Sequence, residues 1–216
     1  MVDESQAEEM VALKPEDMDF ISNFNTFWAV FLGAILATIG GFGATQAEWI
    51  LERKRRERNA AIFFGELLST MNIILTIADE TRRVGDPYGP ITLRMLRSAV
   101  KEVDIYNRNR ETLFDLRNAE LRARIHTLVL RIVMPADGVF DMSSEITQVQ
   151  SLLKSPGLTL DDRAELDERL ERLRANRVSA FDTVVESSAQ LKSVVRELEP
   201  IAKYSYENLD KVVRST

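Results

Sequence analysis

The side chains able to do chemistry are few and scattered. His126 is the only histidine and cysteine is absent, so a Ser-His-Asp triad, a thiol nucleophile, a Cys-ligated zinc site and an iron-sulfur cluster all lack their parts. Catalysis at His126 needs converging partners that its neighbours do not supply, and a surface or seam position on a helix is expected instead. Asp161, Asp162, Glu165, Asp167 and Glu168 form a dense acidic run. Spread around a helix, they make a solvated surface and not an oxygen cage for calcium or magnesium. The GGFG at residues 40–43 matches a phosphate loop only by letter, because it lies inside an apolar run with no strand before it. Residues 106–110 alternate Asn and Arg after Tyr106, which suits an anion or partner site as well as a helix end. An enzyme pocket would have to gather Arg94, Arg97, Tyr106 and Arg110. The expectation is therefore no catalytic residue, no cofactor and no metal, in a protein that is not an enzyme.

The residues with a clear physical signature are those that meet lipid. From Phe24 to Ala47 the chain is almost wholly apolar, and between Phe27 and Thr45 it carries no charge. A helix rising ~1.5 Å per residue needs some 20 such residues to cross a hydrocarbon core of about 30 Å. Trp28 and Trp49 fall at the two interfacial levels. We expect a transmembrane helix over residues 24–50. A signal peptide fits poorly, since basic residues follow the apolar run instead of preceding it.

Arg53, Lys54, Arg55, Arg56 and Arg58 stand directly after the span. Positive residues stay cytoplasmic, so this cluster predicts an outside N-terminus and a cytoplasmic body. It also suits the anionic headgroups of membrane lipids, each cation contributing about 1 kcal/mol near the surface. The net charge of -6 is concentrated in the acidic tail, residues 1–23, where seven acids face Lys14 alone. The remainder is balanced, and nucleic acid is not an expected partner. Within the span, Gly33, Ala37, Gly40, Gly41 and Ala44 recur at four-residue separations and give one smooth face for close helix packing in lipid.

Behind the cluster, residues 51–84 read as a basic juxtamembrane and apolar helix. Its apolar run, residues 60–78, raises the possibility of a second span. Glu66, Ser69, Thr70, Asn72 and Thr76 interrupt it as a polar stripe, and a charged helix in place of a turn favours a single span. Paired Gly and Pro at residues 85–90 break the helix. Residues 91–216 then form a helical bundle: short helices over 91–106 and 109–116, and a heptad-like seam of Leu121, Ile125, Leu128, Ile132, Val139, Met142, Ile146, Val149 and Leu153. Pro135 takes the next place in that count and should kink or interrupt the helix, with residues 136–138 opening into a loop. KSPGLT at residues 154–159 makes a turn capped by Thr159 and Asp162. The last helix carries Leu166, Leu170, Leu173, Val178, Phe181, Val185, Ser188, Leu191, Val195, Leu198 and Ala202 on one drifting face, with a bend at Pro200. A short turn pairs the two long helices as an antiparallel, coiled-coil-like hairpin, its charged residues 161–177 projecting into solvent. The fold class is all-α.

The order of span, ERKRRER, apolar helix and leucine-patterned body, with MLRSAVKEVDIYNRNRETLFDL at residues 95–116, resembles a loose class of uncharacterised bacterial single-pass proteins over about residues 27–132. That resemblance implies the bacterial inner membrane and supplies no catalytic residues. The resulting expectation is a non-enzymatic membrane-anchored scaffold that self-associates or holds another membrane protein. The alternative is a subunit of an oligomeric channel or transporter, with residues 60–78 in the bilayer and Glu66 and Asn72 lining a path.

Overall fold

A computed structural model of the chain describes the backbone of residues 15–206 and the side chains of residues 27–206. Residues 1–14 of the expected acidic tail lie outside the described residues, as does the C-terminal stretch after Tyr206. The described chain is all-helical: α1 (Pro15–Val84), α2 (Pro90–Arg108), a 3-10 helix (Arg110–Asp115), α3 (Ala119–Leu153) and α4 (Leu160–Ala202). It divides into two compact units, Met1–Glu52 and Arg53–Thr216.

The first unit is the N-terminal part of α1. Its side chains are exposed from Phe27 onward, including Phe27, Phe31, Leu36 and Phe42. Polar groups here are folded back on the helix. Thr38 Oγ1 donates to Ala34 O at 2.8 Å and Thr45 Oγ1 to Gly41 O at 2.9 Å, which removes hydroxyl donors from the apolar surface. One helix of the described chain is long and apolar enough to cross a membrane, and its most apolar stretch is not buried by protein.

The second unit holds the core. Ala60, Ala61, Phe64, Leu67, Leu68, Met71, Leu75 and Ala78 of α1 are buried, recurring at three- and four-residue steps, with Leu96, Ala99 and Val103 of α2 in the same cluster. The apolar run at residues 60–78 thus has a protein partner along its length. The break after Val84 occurs where paired Gly and Pro predict it, and Pro90 opens α2, where its missing N–H costs nothing. Asn118 caps α3 by accepting from Glu120 N at 3.0 Å and Leu121 N at 3.1 Å. The turn between α3 and α4 uses Gly157 at φ 95°, and Thr159 with Asp162 forms a capping box at α4.

The expected interruption at Pro135 does not occur: α3 is continuous from Ala119 to Leu153, and residues 136–138 are helical. Proline removes the donor for the carbonyl four residues earlier, that of Arg131. The buried Ser187 hydroxyl of α4 reaches that carbonyl at 3.4 Å, so the neighbouring helix supplies a substitute donor. The core register shifts accordingly. Ala136, and not Pro135, sits between Ile132 and Val139 in the core. On α4, Val184, Ser187 and Val194 are buried, whereas Val178 is exposed and Val185 and Ser188 are half-buried. The helix also runs through Pro200 to Ala202.

Contacts between α3 and α4 follow an antiparallel order, from Arg124–Glu197 through Arg131–Ser187 and Ser143–Arg177 to Glu145–Arg169. Toward the turn the two helices share a small separate cluster of Ile146, Val149 and Leu170. The acidic residues 161, 162, 165, 167 and 168 are exposed there.

Candidate functional site

The small-residue face, Gly33, Ala37, Gly40, Gly41 and Ala44, is exposed along its length. A Cβ added at Gly33, Gly40 or Gly41 would meet nothing within 4 Å. Glycine is not required there by any contact within the chain. The contrast is Gly65, buried in the second unit, where a Cβ would lie 2.1 Å from Cζ of Tyr206. Tyr206 follows the end of α4, and its hydroxyl donates to the carbonyls of Ala61 at 3.0 Å and Ile62 at 3.3 Å. Burial pushes the Tyr206 phenol up to about 12, with the charges of Glu66, Tyr204 and Glu199 adding to the shift.

The basic segment is divided in use. Arg53, Lys54, Arg55 and Arg56 are exposed, while Arg58 donates through Nε to Ala202 O at 3.0 Å. That carbonyl ends α4, where Lys203 turns left-handed at φ 53°. Arg58 therefore caps a helix C-terminus, a position that favours a cation. Beside it Glu57 accepts from Arg117 N at 3.2 Å and pairs with Arg117 Nε at 3.2 Å, fastening the segment before α3. Sequence spacing alone does not separate these two residues from the cations around them.

Glu66 is exposed and Asn72 is buried at 7% exposure. Six residues apart on a helix, they are about 120° apart in azimuth, so the polar residues of this run do not form one lining face. Residues 106–110 serve as a helix end: Asn109 caps α2, donating from its backbone N to Tyr106 O at 3.1 Å and from Nδ2 to Ile105 O at 2.9 Å. Tyr106 is buried, with its hydroxyl 2.9 Å from Nδ1 of His126. Burial raises its pKa, against the lowering charge of Arg110. Arg97 lines a groove whose walls do not include Arg94, Tyr106 or Arg110. Among the described residues no three His, Asp or Glu side chains are arranged to hold a metal.

The most concentrated polar chemistry lies where the loop after α1 meets α2, α3 and α4. Asp86 shapes the loop, accepting from Tyr88 N at 3.0 Å through Oδ1 and from Gly89 N at 3.0 Å through its carbonyl. Tyr88 is held between two guanidiniums. Arg177 Cζ is 3.7 Å from its ring centroid and Arg82 Cζ is 5.9 Å away. Arg82 also lies 4.6 Å from the Phe181 ring centroid and pairs with Asp182 at 2.6 Å. Burial pushes the Tyr88 phenol up, opposed by the charges of Arg82 and Arg177, and burial lowers Arg177 below the ordinary guanidinium value. Arg177 Nε is buried without a hydrogen-bond partner among the described residues.

A groove of about 430 Å³ opens beside this cluster, with Asp86, Arg97, Phe140, Ser144, Arg174 and Arg177 among its walls. Sequence analysis identified Arg97 but not Tyr88, Arg174 or Arg177. The pairing of Tyr88 with Arg177 spans most of the chain, so no local motif announces it. No protein-family model, curated protein or solved structure matches this chain.

Proposed function

We propose that this protein is a membrane-anchored, non-enzymatic scaffold of the bacterial inner membrane, which self-associates or holds another membrane protein through its span. The observation that carries the reading is α1 itself. One unbroken helix is exposed over residues 27–52, apolar and uncharged over residues 27–47, and packs its apolar face into a protein core over residues 60–78. Exposed apolar surface of that extent is stable in hydrocarbon and not in water. The open face of Gly33, Ala37, Gly40, Gly41 and Ala44 supports the same reading. On this reading the helices behind the span form a cytoplasmic bundle with a coiled-coil-like hairpin, and Arg53, Lys54, Arg55 and Arg56 rest against anionic lipid.

Because the chain has no cysteine, one introduced thiol reports topology cleanly. Ser193→Cys, at an exposed position on α4, is expected to resist an impermeant maleimide in intact cells and to react after permeabilisation. Labelling in intact cells would sink the orientation. Release of the full chain by alkaline carbonate would sink the anchor. For the docking face, Gly40→Leu with Gly41→Leu should abolish self-association or partner co-purification in mild detergent, and unchanged behaviour would count against it.

A further inference from the structure

We propose that the groove between the loop after α1 and helices α2, α3 and α4 binds a soluble phosphate monoester. Its dianionic head would be held by Arg97 and Arg177, and its organic part would lie against Leu93 and Phe140. The volume of about 430 Å³ is that of a small-ligand site. Charge decides the class of ligand. Three guanidiniums, Arg97, Arg174 and Arg177, line the groove against the single carboxylate of Asp86. Arg174 is paired with Glu171 at 2.6 Å, whereas Arg97 and Arg177 make no ion pair among the described residues. The Asp86 carboxylate is engaged by the Tyr88 backbone.

Arg177 is the residue that points most directly to an anion. Its charge is partly desolvated, its Nε has no hydrogen-bond partner, and its NH1 makes only a 3.4 Å contact with Ser143 Oγ. A guanidinium withdrawn from water needs compensating charge or hydrogen bonds. The Tyr88 ring beneath it supplies only a cation-π contact. Two guanidiniums with no carboxylate in ion-pair contact, Asp86 acting on Arg177 only at longer range, match a head carrying two negative charges, as a phosphate monoester does near pH 7, and the planar fork suits its oxygens. Ser144 and Gln150 also line the groove and add uncharged donors.

A phospholipid headgroup offers the same chemistry, but the groove favours a soluble ester. The end of α1 at Val84, next to the groove's loop, lies about 39 Å along the helix from Arg58, at ~1.5 Å per residue. If the basic segment marks the lipid surface and α1 leads away from it, premises that rest on the proposed anchoring, a headgroup in the bilayer falls short of the groove.

The test is calorimetric titration of the full chain in neutral detergent with phenyl phosphate, phenol and benzenesulfonate at constant ionic strength. Phenyl phosphate is expected to bind saturably, at least about tenfold tighter than the monoanionic sulfonate, with phenol silent. Arg97→Gln and Arg177→Gln should each weaken it about tenfold or more, while Arg172→Gln, on the exposed face and paired with Glu168, leaves it unchanged. Arg97 is exposed, so Arg97→Gln decides the matter if Arg177→Gln impairs folding. Absence of saturation up to about 10 mM, or equal binding by wild type and Arg97→Gln, overturns the site. Binding confined to vesicles containing phosphatidic acid overturns the soluble assignment. These outcomes do not depend on topology, so failure here is distinguishable from failure of the maleimide experiment.

Discussion

Residues 27–51 and 60–78 lie on one helix, and both are rich in Phe, Leu, Ile and small residues, yet they meet opposite surroundings. Every described side chain of the first stretch is exposed, and the second supplies the central wall of the core. Hydropathy alone does not separate them. What differs is the fate of polar and small residues. Thr38 and Thr45 close their hydroxyls onto their own helix at exposed positions, as Thr76 does in the second stretch, but only the second stretch buries polar side chains, those of Ser69 and Asn72. Glycines at 33, 40 and 41 face open space, while Gly65 admits the ring of Tyr206. The same residue type leaves an open face in one stretch and admits a close internal contact in the other.

The sharpest test pairs a phenylalanine from each stretch. Phe64→Ala should lower the unfolding free energy of the second unit by about 4 kcal/mol, the usual cost of emptying a fully buried aromatic site. Phe31→Ala should leave it within about 0.5 kcal/mol. Urea denaturation followed by far-UV circular dichroism in detergent distinguishes the two, and an equal loss would break the comparison. The glycines give the next effect. Gly65→Ala forces the Tyr206 ring away and should cost about 1–3 kcal/mol, with no corresponding loss for Gly40→Ala in the same assay.

Tyr206 also makes the inner contact sensitive to alkali. Its pKa in the folded chain, about 12, lies above the ordinary value of 10.0, so the neutral phenol is the form that folding favours. That contribution is fully present below pH 10 and is lost as pH rises toward 12. Urea midpoints measured between pH 8 and 11.5 should fall over the upper part of the range, and Tyr206→Phe should flatten part of that fall. Tyr88 and Tyr106 shift in the same direction and act with it. The smallest expected effect is that of Ser187→Ala, about 1 kcal/mol, because the hydroxyl supports a single carbonyl at a long 3.4 Å. A helix content that dropped on this substitution would show that Ser187 is what keeps α3 continuous at Pro135.

Much of the fold is legible in local residue chemistry. The Gly and Pro residues at 85–90 mark the end of α1, Thr159 and Asp162 mark the start of α4, and the four-three spacing from Leu121 to Ile132 marks a buried stripe. Pro135 misleads because its missing donor is a local fact, whereas the hydroxyl that compensates lies on another helix. Arg58 has a role of the same distant kind: its neighbours read as a lipid-facing cluster, and the carbonyl it caps, that of Ala202, lies at the other end of the chain. The groove was legible only at Arg97. Arg174 and Arg177 lie in a stretch that reads as an evenly charged, solvated face, and nothing near them points to Tyr88.

The sequence by itself determined the helical class, the long uncharged apolar segment, the basic residues behind it and the main breaks between helices. These depend on propensity, periodicity and charge over a few neighbouring residues. Only the tertiary structure decided that residues 60–78 are core, that Gly65 receives Tyr206, that Arg58 caps α4 and that Arg177 stacks on Tyr88 beside a cationic groove. Each of those pairs residues distant along the chain. Such contacts are set by how helix faces pack, which no local spacing encodes.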